Sequence, residues 1–296
     1  MSSYNAFVNP VVRGVINPNR TITYKKELHF DSRFRDNYGA PHTSASSFLY
    51  NLPEEIDNVV SLRLASISVP SIPITISESN GNNSFLIDDV PFTINDGIYN
   101  LKELLDAINL KIAATPITFS QATNNKDKTT ITSTDPISTK ITFYKQENCT
   151  NFMLTLGWFL GFRVASVSVV NGSPVTSSAL FDNNFVDYLY FAADDFQKNM
   201  SNNNIVYLNK TTSNNNILGK IYRSPENGTY FLNTKNSSSS HNADRARIYF
   251  GPVRLSKFKF SLLDKFCNLV DMSNMDYSFT LEVEVLYDRN NVTIPC

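Results

Sequence analysis

The sequence predicts an all-β sandwich, and three observations lead there. In YSFTLEVEVLYD the apolar residues Tyr277, Phe279, Leu281, Val283, Val285 and Tyr287 share one parity, and Ser278, Thr280, Glu282 and Glu284 hold the other. That period of two marks a strand with one face in a core and one in water. About ten short runs of β-branched and aromatic residues recur between polar turns, at the spacing of a sandwich. Against them stands a single substantial helical pattern. No interval repeats, which argues against a propeller or solenoid.

Taken in order, residues 1–20 mix isolated apolar residues with Asn-Pro dipeptides and read as an arm that needs a partner surface. TITYKKELHF (Thr21 to Phe30) is the first strand, and DSRFRDNYGAPHTSAS is a loop. In NVVSLRLASISVPSIPITI, Val60, Leu62 and Leu64 share one parity while Ile67 and Val69 take the other, so a β-bulge is expected near Ala65–Ser66. Pro70 and Pro73 bar a central strand beyond it. SFLIDDVPFTIND reads as a hairpin around Asp88–Asp89. A helix follows, capped by Asn100 with Glu103 three residues on, and Leu101, Leu104, Leu105, Ile108 and Ile112 form its apolar stripe.

PITFSQAT, KTTITST and TKITFYK are further strands, as are VASVSVV and FVDYLYF. NFMLTLGWFLGFR is read as a short helix or compact turn, since Gly157 and Gly161 interrupt it, and its Trp158 as buried. Residues 197–242 are Asn/Ser-rich, with apolar islands at NIVYLN, NILGKIYR and TYFLN: long surface loops around short strands. RIYFGPVRLSKFKFSLLD turns Phe258, Phe260 and Leu262 to one side and Lys257, Lys259 and Ser261 to the other. The expected organisation is an arm (1–20), one domain (21–290) with a loop-rich insertion around 197–242, and a tail (291–296).

Composition narrows the function. The 296 residues are 42% hydrophobic, with 21 Phe, 14 Tyr and only 10 Gly, which suits a sizeable core and disfavours Gly-rich phosphate loops. With 26 basic and 27 acidic residues the formal charge is -1, which argues against a broad basic face for nucleic acid. Cys149, Cys267 and Cys296 form no CxxC pair. The N-terminus has no signal-peptide pattern, and no apolar run reaches the ~20 residues of a membrane helix. A protein made in the cytosol is expected.

The search for chemistry returns little. His29, His42 and His241 form no HxH or HExxH pattern, and GxSxG, GxxxxGK[ST] and GxGxxG are absent. Asp88–Asp89 and Asp194–Asp195 are the acidic pairs to weigh for a divalent cation, against loop charges or caps. No catalytic residue, metal or cofactor is predicted. Two polar clusters remain. DSRFRDNY sets Asp31, Arg33, Arg35 and Asp36 around Phe34 and Tyr38, either as a salt-bridged loop or as a subunit contact, since Arg and Tyr are favoured at interface hot spots. DRARIYFGPVR places Arg245, Arg247 and Arg254 near a strand, as a solvated or interface edge.

The order LHFDSRFRDNY, SSFLYNLPEEIDNVVSLRLASISVP, NDGIYNLKELLDAIN, LGWFLGFR and LLDKF…VDM…MDYSFTLEVEVLY resembles the penton (vertex) and single-jelly-roll minor capsid proteins of large icosahedral nucleocytoplasmic DNA viruses, over residues 22–288. Cys267 departs from the pattern, standing where Gly is expected. The resemblance implies a single jelly roll with one inserted amphipathic helix, five copies around each vertex, and no catalytic residues. It implies as partners further copies of the chain, major capsid protein capsomers and other minor capsid proteins, within a virion assembled from host-cytosol synthesis. Alternatives are a minor capsid protein that cements capsomers, and a receptor- or glycan-binding β-sandwich, whose sign would be a shallow aromatic groove.

Overall fold

A computed structural model describes residues 23–36, 38–39, 44–71, 76–78, 80–145, 151–181, 187–201, 204–208, 211–213, 216–224, 229–233 and 246–287. The arm, the tail, Arg245, His42, His241, Cys149 and Cys296 lie outside them. The strands are β1 (Thr23–Asp31), β2 (Ser47–Val69), β3 (Ser84–Ile87), β4 (Val90–Thr93), β5 (Ile117–Ala122), β6 (Asn125–Ser133), β7 (Thr139–Thr142), β8 (Ser166–Val169) and β9 (Val175–Thr176). They continue with β10 (Tyr188–Asp194), β11 (Val206–Tyr207), β12 (Thr212–Ser213), β13 (Ile217–Arg223), β14 (Tyr230–Asn233), β15 (Arg247–Leu263) and β16 (Ser278–Leu286). The helices are α1 (Leu101–Lys111) and the one-turn α2 (Leu156–Phe159). The chain is thus all-β, built of antiparallel sheets in a jelly-roll-like sandwich.

The chain splits into two compact units, Met1–Ile72 with Val186–Cys296, and Pro73–Phe185. Alternation along a strand reports which faces are buried, not which strands pair, so the pattern alone does not divide the chain.

The first unit carries a seven-stranded sheet in the order β1-β16-β2-β14-β13-β10-β15. β15 also pairs back onto β2, from Ser47↔Ser261 to Leu62↔Arg247, while the end of β2 pairs with β14 from Ser66 to Val69. The sheet therefore curls until its two inner faces meet. Phe279 on β16 lies 5.1 Å from Phe30, 4.7 Å from Phe191 and 4.6 Å from Phe260, centroid to centroid. These rings come from β1, β10 and β15, so the alternating phenylalanines of four strands converge on one cluster. Burying each contributes roughly 1.5–3 kcal/mol before edge-to-face gains.

The expected bulge is present: opposite β2, Thr280 pairs with Ser66 and Leu281 with Leu64, so Ala65 is skipped. A second skip falls between Glu284↔Ser61 and Val285↔Val59. It makes Val59, not Val60, the fully buried residue. Asn58, at φ 61°, lies at a separate irregularity on the β15 side, between Val59↔Val253 and Ile56↔Leu255. The outer face of β16 also departs from expectation. Thr280 and Glu282 are both 8% exposed, because β16 is flanked by β1 and β2, whose Lys25 and Arg63 cover Glu282.

The second unit holds sheets β4-β3-β7-β8 and β5-β6-β9. Asp88 (φ 46°) and Asp89 (φ 67°) form the two-residue hairpin turn between β3 and β4, both left-handed as such a tight turn requires. Asn100 accepts from Glu103 N at 3.0 Å and Glu103 accepts from Asn100 N at 2.9 Å, completing the capping box of α1. Leu101, Leu104, Leu105 and Ile108 are its buried stripe. Asn109 fixes the helix to β5, donating to Phe119 O at 2.7 Å and accepting from Phe119 N at 2.8 Å. Trp158 is half-buried rather than buried, its ring covered by the Arg163 guanidinium at 3.9 Å.

Cys267 adopts φ 65° in the turn after β15, where Asp264 accepts from Phe266 N and Asn268 N, both at 2.8 Å. A glycine fits that backbone without the Cβ penalty but loses more entropy on folding. Cys267→Gly should therefore leave stability within about 1 kcal/mol of the parent, and Cys267→Val should cost about 1–3 kcal/mol, measured by urea unfolding.

Candidate functional site

The segment Asp31–Gly39 leaves β1 through a 3-10 turn (Ser32–Phe34) and is pinned to the residues that open β16. Ser32 N donates to Tyr277 O at 2.9 Å, and Tyr277 N donates to Ser32 Oγ at 3.0 Å. Asp276 then gathers three donors: Ser32 Oγ at 2.6 Å, Arg35 Nη1 at 2.6 Å and Tyr38 Oη at 3.2 Å. Arg35 Nη1 also donates to Ser32 O at 2.6 Å, and its guanidinium lies 4.2 Å from the Tyr38 ring centroid. Burial raises the Asp276 pKa, but the hydrogen bonds from Ser32, Arg35 and Tyr38 outweigh it and hold the carboxyl below its usual value. Hydrogen bonds from Arg33 likewise lower Asp31, against a burial effect.

This latch uses the polar groups of the loop internally and leaves its rings outside. Phe34 is 74% and Tyr38 56% exposed. Beside Phe34, a cleft of 410 Å³ opens over β1, β16 and β2. Its polar residues come from consecutive positions in register: Asp31 opposite Ser278, which faces Ser68, and His29 opposite Thr280, which faces Ser66. His29 Nδ1 lies 3.1 Å from Thr280 Oγ1. Small hydroxyls there are bounded on one side by Phe34 and on the other by the Lys25–Glu282–Arg63 row, in which Arg63 grips Glu282 through Nε at 2.9 Å and Nη2 at 2.7 Å.

Across the core, β11 lies over the other outer face. Val206 packs against Ala192, Ile217 and Leu263, so the next residue, Tyr207, points away and is 80% exposed.

The predicted contact residues separate. Arg33, Arg35 and Tyr38 come together in the loop, but Arg35 is held in the latch and Arg33 forms a fork with Asp31 at 2.6–3.1 Å. Arg254 is exposed on β15 and pairs with Asp57 and Glu55 of β2. Arg247 corrects the expected edge. It is 5% exposed and donates to Asp195 Oδ2 at 2.7 Å, Ala193 O at 2.8 Å and Asn216 O at 3.0 Å. Tyr249 Oη also donates to Asp195. A guanidinium spent on three internal acceptors is not presented to a partner.

The acidic pairs are spent too. Asp195 serves Arg247 and Tyr249, Asp194 accepts from Phe196 N at 2.9 Å, Asp88 accepts from Lys140 N at 2.8 Å and Asp89 pairs with Lys145 at 3.0 Å. Among the described residues no group of three or more His, Cys, Asp or Glu is arranged to hold a metal ion, and no helix is long and apolar enough to cross a membrane.

No family model matches the sequence, and no curated protein matches it. Among solved structures, the crystal structure of the selenomethionine-labelled mavirus penton protein is similar at a TM-score of 0.46 and 12% identity, over 90% of this chain and 99% of that one. At so low a score the functional reading rests on this chain's own residues.

Asp276 has no local signal in the sequence. Its partners lie 241 residues away in the case of Arg35 and 244 in the case of Ser32, so only pairing of β1 with β16 reveals it.

Replacing Asp276 by Asn should cost roughly 1–3 kcal/mol, because half-buried Arg35 loses its carboxylate. A carboxyl lowered in the folded state stabilises above its unfolded pKa, and that stabilisation is lost as pH falls through the folded value. Acid unfolding of the parent below about pH 4 should thus be steeper than that of Asp276→Asn. Among the described residues Tyr277 Oη is buried with no hydrogen-bond partner, so Tyr277→Phe should be neutral or stabilising by up to about 1 kcal/mol. Thermal and urea melts between pH 2 and 7 check all three.

Proposed function

We propose that this chain is a structural capsid protein whose copies form the pentameric vertex of an icosahedral viral shell. The observation that carries the reading is the latched loop: a half-buried Arg35–Asp276 pair holds Phe34 and Tyr38 outward on the sandwich. Exposed aromatics on a preformed surface are the anatomy of a protein–protein hot spot, since little ordering entropy remains to be lost on docking. The ordered segments from LHFDSRFRDNY to MDYSFTLEVEVLY, which resemble penton and minor capsid proteins, support the same reading.

In this role Phe34 and Tyr38 are the anchors. Arg33 and Arg254, each already paired with carboxylates of its own chain, lie at the rim and tune orientation more than affinity. The contacts are with other copies of the chain and, around the vertex, with major capsid protein capsomers and other minor capsid proteins. The protein resides in the virion.

Native mass spectrometry of the purified chain over a range of concentration and salt tests this. The expected result is a closed pentamer, with Phe34→Ala/Tyr38→Ala raising the concentration for half-assembly at least tenfold, about 1.4 kcal/mol. A chain that stays monomeric throughout contradicts self-assembly at a vertex and leaves the cementing role.

A further inference from the structure

Resting on the vertex reading, we propose that the cleft on the outer face of β1–β16–β2 receives Tyr207 of a neighbouring copy. The core fixes the relative placement of the two features. Phe279 of β16 and Phe191 of β10 meet at 4.7 Å from opposite inner faces. The outer faces of those strands therefore look in opposite directions. One carries the cleft and the other carries Val206, which is packed down, and Tyr207, which is turned out. A hole on one side and a knob on the other cannot meet within one copy or across a twofold axis. They join copies head to tail, the heterologous contact that closes into a ring when its rotation divides a full turn.

The chemistry of the two surfaces agrees. Tyrosine has a flat apolar ring and a polar tip, the pattern favoured at interfaces. The cleft offers the Phe34 ring as a wall and, at its floor, the hydroxyls of Ser66, Ser278 and Thr280 with the imidazole of His29. These groups both donate and accept, so a phenol hydroxyl finds a partner in either sense. Asp31 is already neutralised by Arg33, so the phenol enters without desolvating a free charge. A 410 Å³ cleft lies within the ordinary size range of pockets that enclose a small ligand.

Two exposed positions permit a test that does not disturb the core. Tyr207→Ser removes the knob, and Ser278→Trp fills the hole, while thermal melts and circular dichroism matching the parent show that each variant folds. Phe34→Asp, at a position 74% exposed, supplies a second way to spoil the hole. Each variant alone should be monomeric, or assemble only at a concentration at least about tenfold above the parent's. Mixed, Tyr207→Ser and Ser278→Trp retain one good hole and one good knob between them. They should form a one-to-one dimer that grows no further.

Variants that assemble like a pentameric parent, a mixture that yields no dimer, or loss through the hole variants but not through Tyr207→Ser would each overturn this contact while the vertex reading stood. A parent that never assembles would overturn both.

Discussion

The aromatic cluster around Phe279 is the constraint on which the rest depends. It is where β1, β10, β15 and β16 are held in one register, because rings from each must interdigitate at centroid distances of 4.6–5.1 Å. Tyr277 stacks on Phe279 at 5.7 Å, which sets the start of β16. Asp276 is then placed beneath the loop that leaves β1, and the latch can close. A shift of β16 by one residue would turn every ring outward and remove the latch together with the core.

Polar interactions take over where the core ends. Glu282 shared between Arg63 and Lys25, Asp276 shared among Ser32, Arg35 and Tyr38, and Asp195 shared between Arg247 and Tyr249 are each buried or half-buried carboxylates with several donors. Desolvating such pairs offsets most of their attraction, so their contribution is to specificity of register and loop geometry more than to stability. Each ties together segments far apart in the chain. The surface that results is preorganised, with exposed rings on both outer faces of the first unit and hydroxyls between them.

Much of this was legible in the sequence because it is local. The Asn100–Glu103 box, the Asp88–Asp89 turn, the bulge at Ala65 and the alternation of β15 and β16 all follow from spacing within a few residues. Even the unusual Cys267 sits in the left-handed conformation that a glycine would favour. What was not legible is long-range. The division at Pro73 and Phe185, the burial of Thr280 and Glu282, and the removal of Arg247 from the surface depend on which strands lie side by side. Arg247 and Arg254 look alike in DRARIYFGPVR, yet they stand seven residues apart on opposite faces of β15, and only pairing with β10 shows that the face of Arg247 is the one that meets Asp195.

Hydrogen–deuterium exchange, compared between dilute and assembled protein, tests the central claim that the latched loop is a contact surface. The account predicts that amides of residues 32–39 slow on assembly together with those of 204–208, while α1 and the core strands are unchanged. Assembly that protects neither segment, or protects only the second unit, would contradict it.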